Sequence, residues 1–196
     1  MFIFMRRFLV LAGVLMISLQ VIAQNNVTTE VIITDALREK NEVPFTEPAL
    51  SWDDFKGRPE RNVDWTAMTY SGIKLRYEYK VKNGNYTIKI QLYPYMDRTR
   101  SWYIEQGHND HTLAHEQLHF DITILVTKQL AQELRNMEYN PKKFSRQIDD
   151  MHEEFLEKLR KMQDEYDEQT MHGVKVREQK MWDRKIETQM NQFADK

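Results

Sequence analysis

The sequence predicts an α+β domain, a small antiparallel β-sheet followed by three helices. Two stretches of alternating apolar and polar residues flank an Asn-Gly pair, the signature of a hairpin. A long segment from about His111 to Met137 then carries apolar residues at helical spacing. Two further segments, beginning near Asn140 and Val174, repeat that spacing. The 196 residues suffice for one domain with a real hydrophobic core.

The chain opens on Met1 to Ala23, which reads as a signal peptide rather than as part of the fold. Arg6 and Arg7 precede an apolar run from Phe8 to Leu19, and Val21 and Ala23 supply the small or aliphatic residues of a cleavage site. The run is shorter than the roughly 20 apolar residues a membrane-spanning helix needs. Export to the periplasm or the medium is therefore expected, with no stable membrane anchor after cleavage. Residues 24–49 form an N-terminal arm, and 50–196 the main domain. Within the arm, Val31-Ile32-Ile33 suits an edge strand or a loosely held segment, and Pro44 and Pro48 mark a connection.

Ser51 to Gly57 reads as a Ser-capped helical turn closed by Gly, with Trp52 and Phe55 packing together. Ile73, Leu75, Tyr77, Tyr79 and Val81 alternate with charged residues. Past Asn83-Gly84, the return strand carries Tyr86, Ile88, Ile90 and Leu92. Ser101 to Ile104 suits a further short strand. The first helix follows, its apolar stripe including Leu118, Ile122, Leu125, Val126, Leu130 and Leu134. Asn140-Pro141 reads as an N-cap and first helical position. The second helix aligns Phe144, Ile148, Met151, Phe155, Leu159, Met162 and Tyr166, a stripe suited to packing along the first. It ends in a polar turn from Tyr166 to Gly173. A third helix runs from about Val174 to Phe193.

The chemistry is concentrated in His115-Glu116-Gln117-Leu118-His119. His residues four apart on a helix share one face and can reach one metal ion, while Glu116 points about 100° away around the axis. Two ligands and a general base in this order form the H-E-x-x-H arrangement of zinc metallopeptidases. The chain has no Cys, so disulfides and thiolate ligands are excluded and a third ligand must be His, Asp or Glu. His172 is the first choice, because the second helix should return its terminal turn toward the His pair. Asp167 and Glu168 share that turn and are the rivals; Asp167 and Asp121 also suit a role orienting a ligating His. Surface or loop positions are expected for His108, His111 and His152. Tyr103 and Tyr166 suit an oxyanion donor, with a core role as the default. The formal net charge of −2 falls to −4 once Arg6 and Arg7 are removed, a balance that supports no nucleic-acid or anionic-membrane binding.

Several stretches together resemble the bacterial family DUF922: Leu50 to Pro59, Ala67-Met68-Thr69 with Gly72-Ile73, Ser101-Trp102, His115 to Ile122, and Tyr166-Asp167 with Thr170, His172-Gly173, Gln179, Trp182 and Ile186. Members of that family are described as predicted secreted zinc-dependent proteases. The resemblance implies a zincin-like metallopeptidase acting on a peptide or protein substrate, with a family role for the Thr170–Gly173 turn. The expectation is an exported enzyme with a zinc ion held by His115, His119 and His172, and Glu116 as general base. The rival is a non-catalytic, metal-stabilised binding protein of the cell envelope.

Overall fold

The computed structural model describes residues 27–193; the expected signal peptide lies outside them. The described chain is α+β, with five strands and three long helices. They are β1 (Val27–Ile33), β2 (Ala67–Met68), β3 (Ser71–Lys82), β4 (Asn85–Met96), β5 (Trp102–Tyr103), α1 (Asp110–Asn136), α2 (Phe144–Thr170) and α3 (Val176–Asn191).

The Asn-Gly signal does what was expected of it. β3 and β4 pair antiparallel with Lys82 opposite Asn85, and Asn83 and Gly84 adopt φ of 51° and 78°. Two consecutive positive φ angles match the twist of the hairpin. Ile88, Ile90 and Leu92 are fully buried, so alternate residues of β4 face the helices. Each such side chain contributes about 1.5–3 kcal/mol by leaving water. The outer end of β3 extends past this cover, leaving Tyr79 and Val81 exposed despite their place in the alternation.

The sheet is mixed rather than antiparallel. β1 runs parallel to β4, giving the order β1-β4-β3, and Val31 joins the main core. A parallel neighbour requires a long return connection, and the chain between β1 and β4 provides one. β2 and β5 form a separate two-residue ladder. The Ser51 turn is a short 3-10 helix, Trp52–Asp54, with Asp54 Oδ2 accepting from the Ser51 N–H at 2.9 Å. Trp52 and Phe55 pack at 5.1 Å, and Phe55 belongs to a second core with Val43, Met96, Phe120 and Ile124.

α1 starts where Asn109 accepts a hydrogen bond from the Thr112 N–H at 2.9 Å. α2 starts later than expected, because Asn140 and Pro141 lead a separate turn. There the Lys142 N–H donates to Asn140 Oδ1, and α2 begins at Phe144. The Phe144 ring meets those of Tyr77, Tyr79 and Tyr86, tying the helix start to the hairpin. α1 is thus covered by the sheet on one side and by α2 and α3 on the other, with Leu125, Leu130, Leu134, Ile148, Trp182 and Ile186 in one core. No described helix is long and apolar enough to cross a membrane.

Candidate metal centre

His115, Glu116 and His119 lie on the first half of α1, and all three are buried. The i, i+4 spacing brings the two Nε2 atoms to 3.2 Å. Asp167, on the last turn of α2, supplies the third donor: its Oδ1 lies 3.0 Å from each Nε2. Among the described residues this trio is the group of donors able to hold a metal. Zinc ligated at about 2.0–2.1 Å sets tetrahedral donor separations of roughly 3.3 Å, so the three atoms are within a few tenths of an ångström of that arrangement.

The electrostatics fit a cation. Burial opposes a charged imidazole at His119, but the bond to Asp167 and the charges of Asp167 and Glu116 outweigh it and push the group up to about 9. Burial likewise opposes a charged Asp167, yet the bonds from His115 and His119 hold its carboxyl well below the usual range. Two imidazole nitrogens and a carboxylate converging this closely attract positive charge, as a proton or as a metal ion.

Neighbouring residues orient the donors. Gln163, one turn before Asp167 on α2, donates from Nε2 to His119 O at 2.9 Å and accepts from His119 Nδ1. That second bond keeps a proton on His119 Nδ1, so a metal ion would replace the proton on Nε2, the nitrogen that faces Asp167. Sequence reasoning missed Gln163; its spacing of four from Asp167 was the available signal. The Tyr166 ring stacks on His115 at 4.5 Å and meets His119 edge-on, while its hydroxyl donates to His115 O. Tyr166 is fully buried, its hydroxyl is engaged by His115 O, and burial raises that hydroxyl far above its ordinary value, so the residue packs behind the imidazoles. Tyr103 packs against Trp52 and His108 in the second core region.

His172 takes a different position from the one expected. α2 ends at Thr170, and Met171 and His172 both adopt φ of 50°, which turns the chain outward. The His172 ring stacks on Trp65 at 5.0 Å, and its Nδ1 touches Asp167 Oδ1 at 3.3 Å. It stands against the third donor, outside the trio. Gly173 follows at φ 85°, and a Cβ there would lie 3.1 Å from the His115 ring. Its carbonyl accepts from His111 Nε2 at 2.6 Å, so His111 ties the turn to α1 rather than lying free on the surface. His152 is likewise engaged: its Nε2 donates to Ile73 O on the open edge of β3 at 3.0 Å. Glu168 is exposed and outside the trio. Asp121 accepts from Gln117 at 2.9 Å; burial first, and Asp183 beside it, push its carboxyl up to about 6. Gln117 also accepts from the Leu50 N–H and donates to Pro48 O, fastening the connecting segment to α1.

The trio opens into a cleft of about 560 Å³. Trp65 and the run Ala67 to Ile73 form one wall with Tyr95, and Leu156, Leu159, Arg160 and Gln163 of α2 form the other. Glu116 lines the same cleft, only 3 % exposed, and its Oε2 has no hydrogen-bond partner in the protein. A buried carboxylate oxygen without a partner is costly unless function calls for it.

The model of a family described as "Bacterial protein of unknown function (DUF922)" matches residues 51–173, more than half of the chain. The chain belongs to the DUF922 family. The matched region begins at the Ser51 turn and ends at Gly173, so it contains the whole trio, Glu116 and the His172 turn. Searches of curated proteins and of solved structures gave no match.

Proposed function

We propose that this DUF922 protein is an exported zinc-dependent peptidase of zincin-like design. The observation that carries the reading is the unpartnered Glu116 Oε2 in the cleft beside three converging donors. A purely structural metal site needs no carboxylate there, and among the unpartnered buried polar atoms of the described residues Glu116 Oε2 is the carboxylate oxygen. The donor set of two imidazoles and a carboxylate matches a common catalytic zinc site and leaves a fourth position for water. His115, His119 and Asp167 would hold the ion, with His172 bracing Asp167.

Zinc bound there would supply Lewis acidity and make a water available as a nucleophile near neutral pH. Glu116 Oε2 receives the proton from the attacking water and delivers it to the leaving amine. Gln163 and Tyr166 hold the imidazoles against rotation. The cleft walls flank the reacting groups, and a peptide chain is the substrate class that an open, partly apolar cleft accommodates. Export follows from the Met1–Ala23 segment.

The test is Glu116→Gln. The variant is expected to bind one zinc per chain as the wild type does, and to lose cleavage of a peptide library by at least about a hundredfold. A wild-type protein that binds zinc and cleaves nothing in the library would overturn the enzymatic reading in favour of a binding protein.

A further inference from the structure

The turn after α2 and the outer face of α3 stand apart from the rest of the surface. Seven large apolar side chains are exposed in the described chain, and four of them, Met171, Val174, Val176 and Met181, fall within eleven residues. Val174, at the tip of the turn, is 73 % exposed. Interspersed with them are Lys175, Arg177, Lys180, Arg184 and Lys185, all exposed. Of the acids beside them, Glu178 and Asp183 are half-buried and Glu187 is exposed at the edge of the same helix face.

On the α3 helix, Arg177, Lys180, Met181, Arg184 and Lys185 occupy one face, opposite the buried Gln179, Trp182 and Ile186. Among the described residues none of the five cations has a carboxylate within ion-pair distance; Lys185 instead lies over the Trp182 ring at 3.6 Å. α2 shows the contrasting pattern of an ordinary solvated face. There Arg160 pairs with Glu157 and Asp164, Lys161 with Glu157, and Arg146 with Asp150. A chain of net charge −2 thus carries a local excess of unpaired cations around an aliphatic tip. The whole-chain balance conceals it.

We infer that this face docks on an anionic phospholipid surface. Aliphatic side chains at a turn tip, flanked by unpaired Lys and Arg along one helix face, suit the boundary between acyl chains and headgroups. The tip would enter the boundary while Lys180 and Arg184 meet the phosphates. A folded acidic protein would be complementary to the cations as well, but a lipid boundary matches an aliphatic tip and a cationic flank at once. His172, between Met171 and Val174, lines the cleft, so docking would turn the cleft mouth toward the membrane and favour chains near it. The inference rests on this surface alone and stands whether or not the cleft is catalytic.

The chain has no Cys, so Val174→Cys in the full chain can be labelled at one site with a polarity-sensitive fluorophore. Insertion of the apolar N-terminal run would act on neutral and anionic vesicles alike, so comparing lipids separates it from docking by the turn. Vesicles containing phosphatidylglycerol are expected to shift its emission to the blue, and pure phosphatidylcholine vesicles are not. The same label on Glu153→Cys, on the exposed face of α2, should not respond. Adding Lys180→Glu and Arg184→Glu to the labelled chain reverses two charges, and at about fivefold per charge removed should weaken the response at least twentyfold. No shift on anionic vesicles, or an undiminished shift in the charge-reversed chain, would overturn the inference. A shift with polyglutamate but not with vesicles would overturn it in favour of an acidic protein partner.

Discussion

Which residue closes the metal site is open to a direct measurement, by comparing Asp167→Ala with His172→Ala. Asp167 Oδ1 lies 3.0 Å from Nε2 of both His115 and His119, and His172 Nδ1 lies 3.3 Å from that same oxygen. Removing Asp167 deletes one of three donors and the site's negative charge. Removing His172 deletes a group that orients the carboxylate, for which losses of about 10- to 100-fold in metal affinity are usual. Asp167→Ala should therefore weaken zinc binding by well over a hundredfold, and His172→Ala by about tenfold to a hundredfold. Competition against a chelating indicator at fixed pH reads both constants. Thermal unfolding gives an independent readout, since ligand binding to the folded state at 100 times Kd adds about 2.7 kcal/mol. For a domain of this size that is roughly 5–10 °C of zinc-induced rise in Tm, which Asp167→Ala should abolish. If His172→Ala loses as much affinity as Asp167→Ala or more, the assignment is wrong and the turn must swing His172 onto the ion. If neither variant loses zinc, the site is not at the His pair.

Three further outcomes follow from neighbouring residues. Gln163→Leu keeps the packing volume but removes the group holding His119 Nδ1; zinc affinity should fall about 10- to 100-fold while the fold persists by circular dichroism. Gly173→Ala places a methyl 3.1 Å from the His115 ring at a φ of 85°, so stability should drop by about 1–3 kcal/mol in denaturant unfolding, with zinc affinity falling in parallel. Asp54 sits in a partly buried pocket; burial opposes its charge, but the Ser51 N–H and Arg98 prevail and hold it below its ordinary 3.8. Its stabilisation is therefore present above pH 4 and lost as pH falls through the folded value. Asp54→Asn should cost about 1–2 kcal/mol at pH 7, and the difference from wild type should shrink below pH 4 in unfolding curves taken across pH.

The local elements were legible because their signals are local. Asn83-Gly84 specifies a two-residue turn by backbone energetics alone, and the strict alternation of Ile88, Ile90 and Leu92 specifies which face is buried. The spacing of His115 and His119 predicted one buried helix face, and both rings lie on it. The direction of β1 was not legible. Val31-Ile32-Ile33 pairs equally well in either sense, and the parallel choice depends on how residues 34–84 route the chain. The start of α2 was misplaced because Pro141 suits a turn as well as a first helical residue.

By itself the sequence determined the hairpin, three helices, the His pair with its adjacent Glu116, and the absence of thiolate ligands. Those depend on residue type and on spacing within one element. Only the tertiary structure placed Asp167 Oδ1 against both imidazole Nε2 atoms with His172 beside that carboxylate, and set Gln163 and Tyr166 against the imidazoles. Four residues separate Asp167 from His172, and periodicity cannot say where a helix stops. The left-handed turn at Met171 stops it at Thr170, leaving Asp167 facing α1 and carrying His172 out to Trp65.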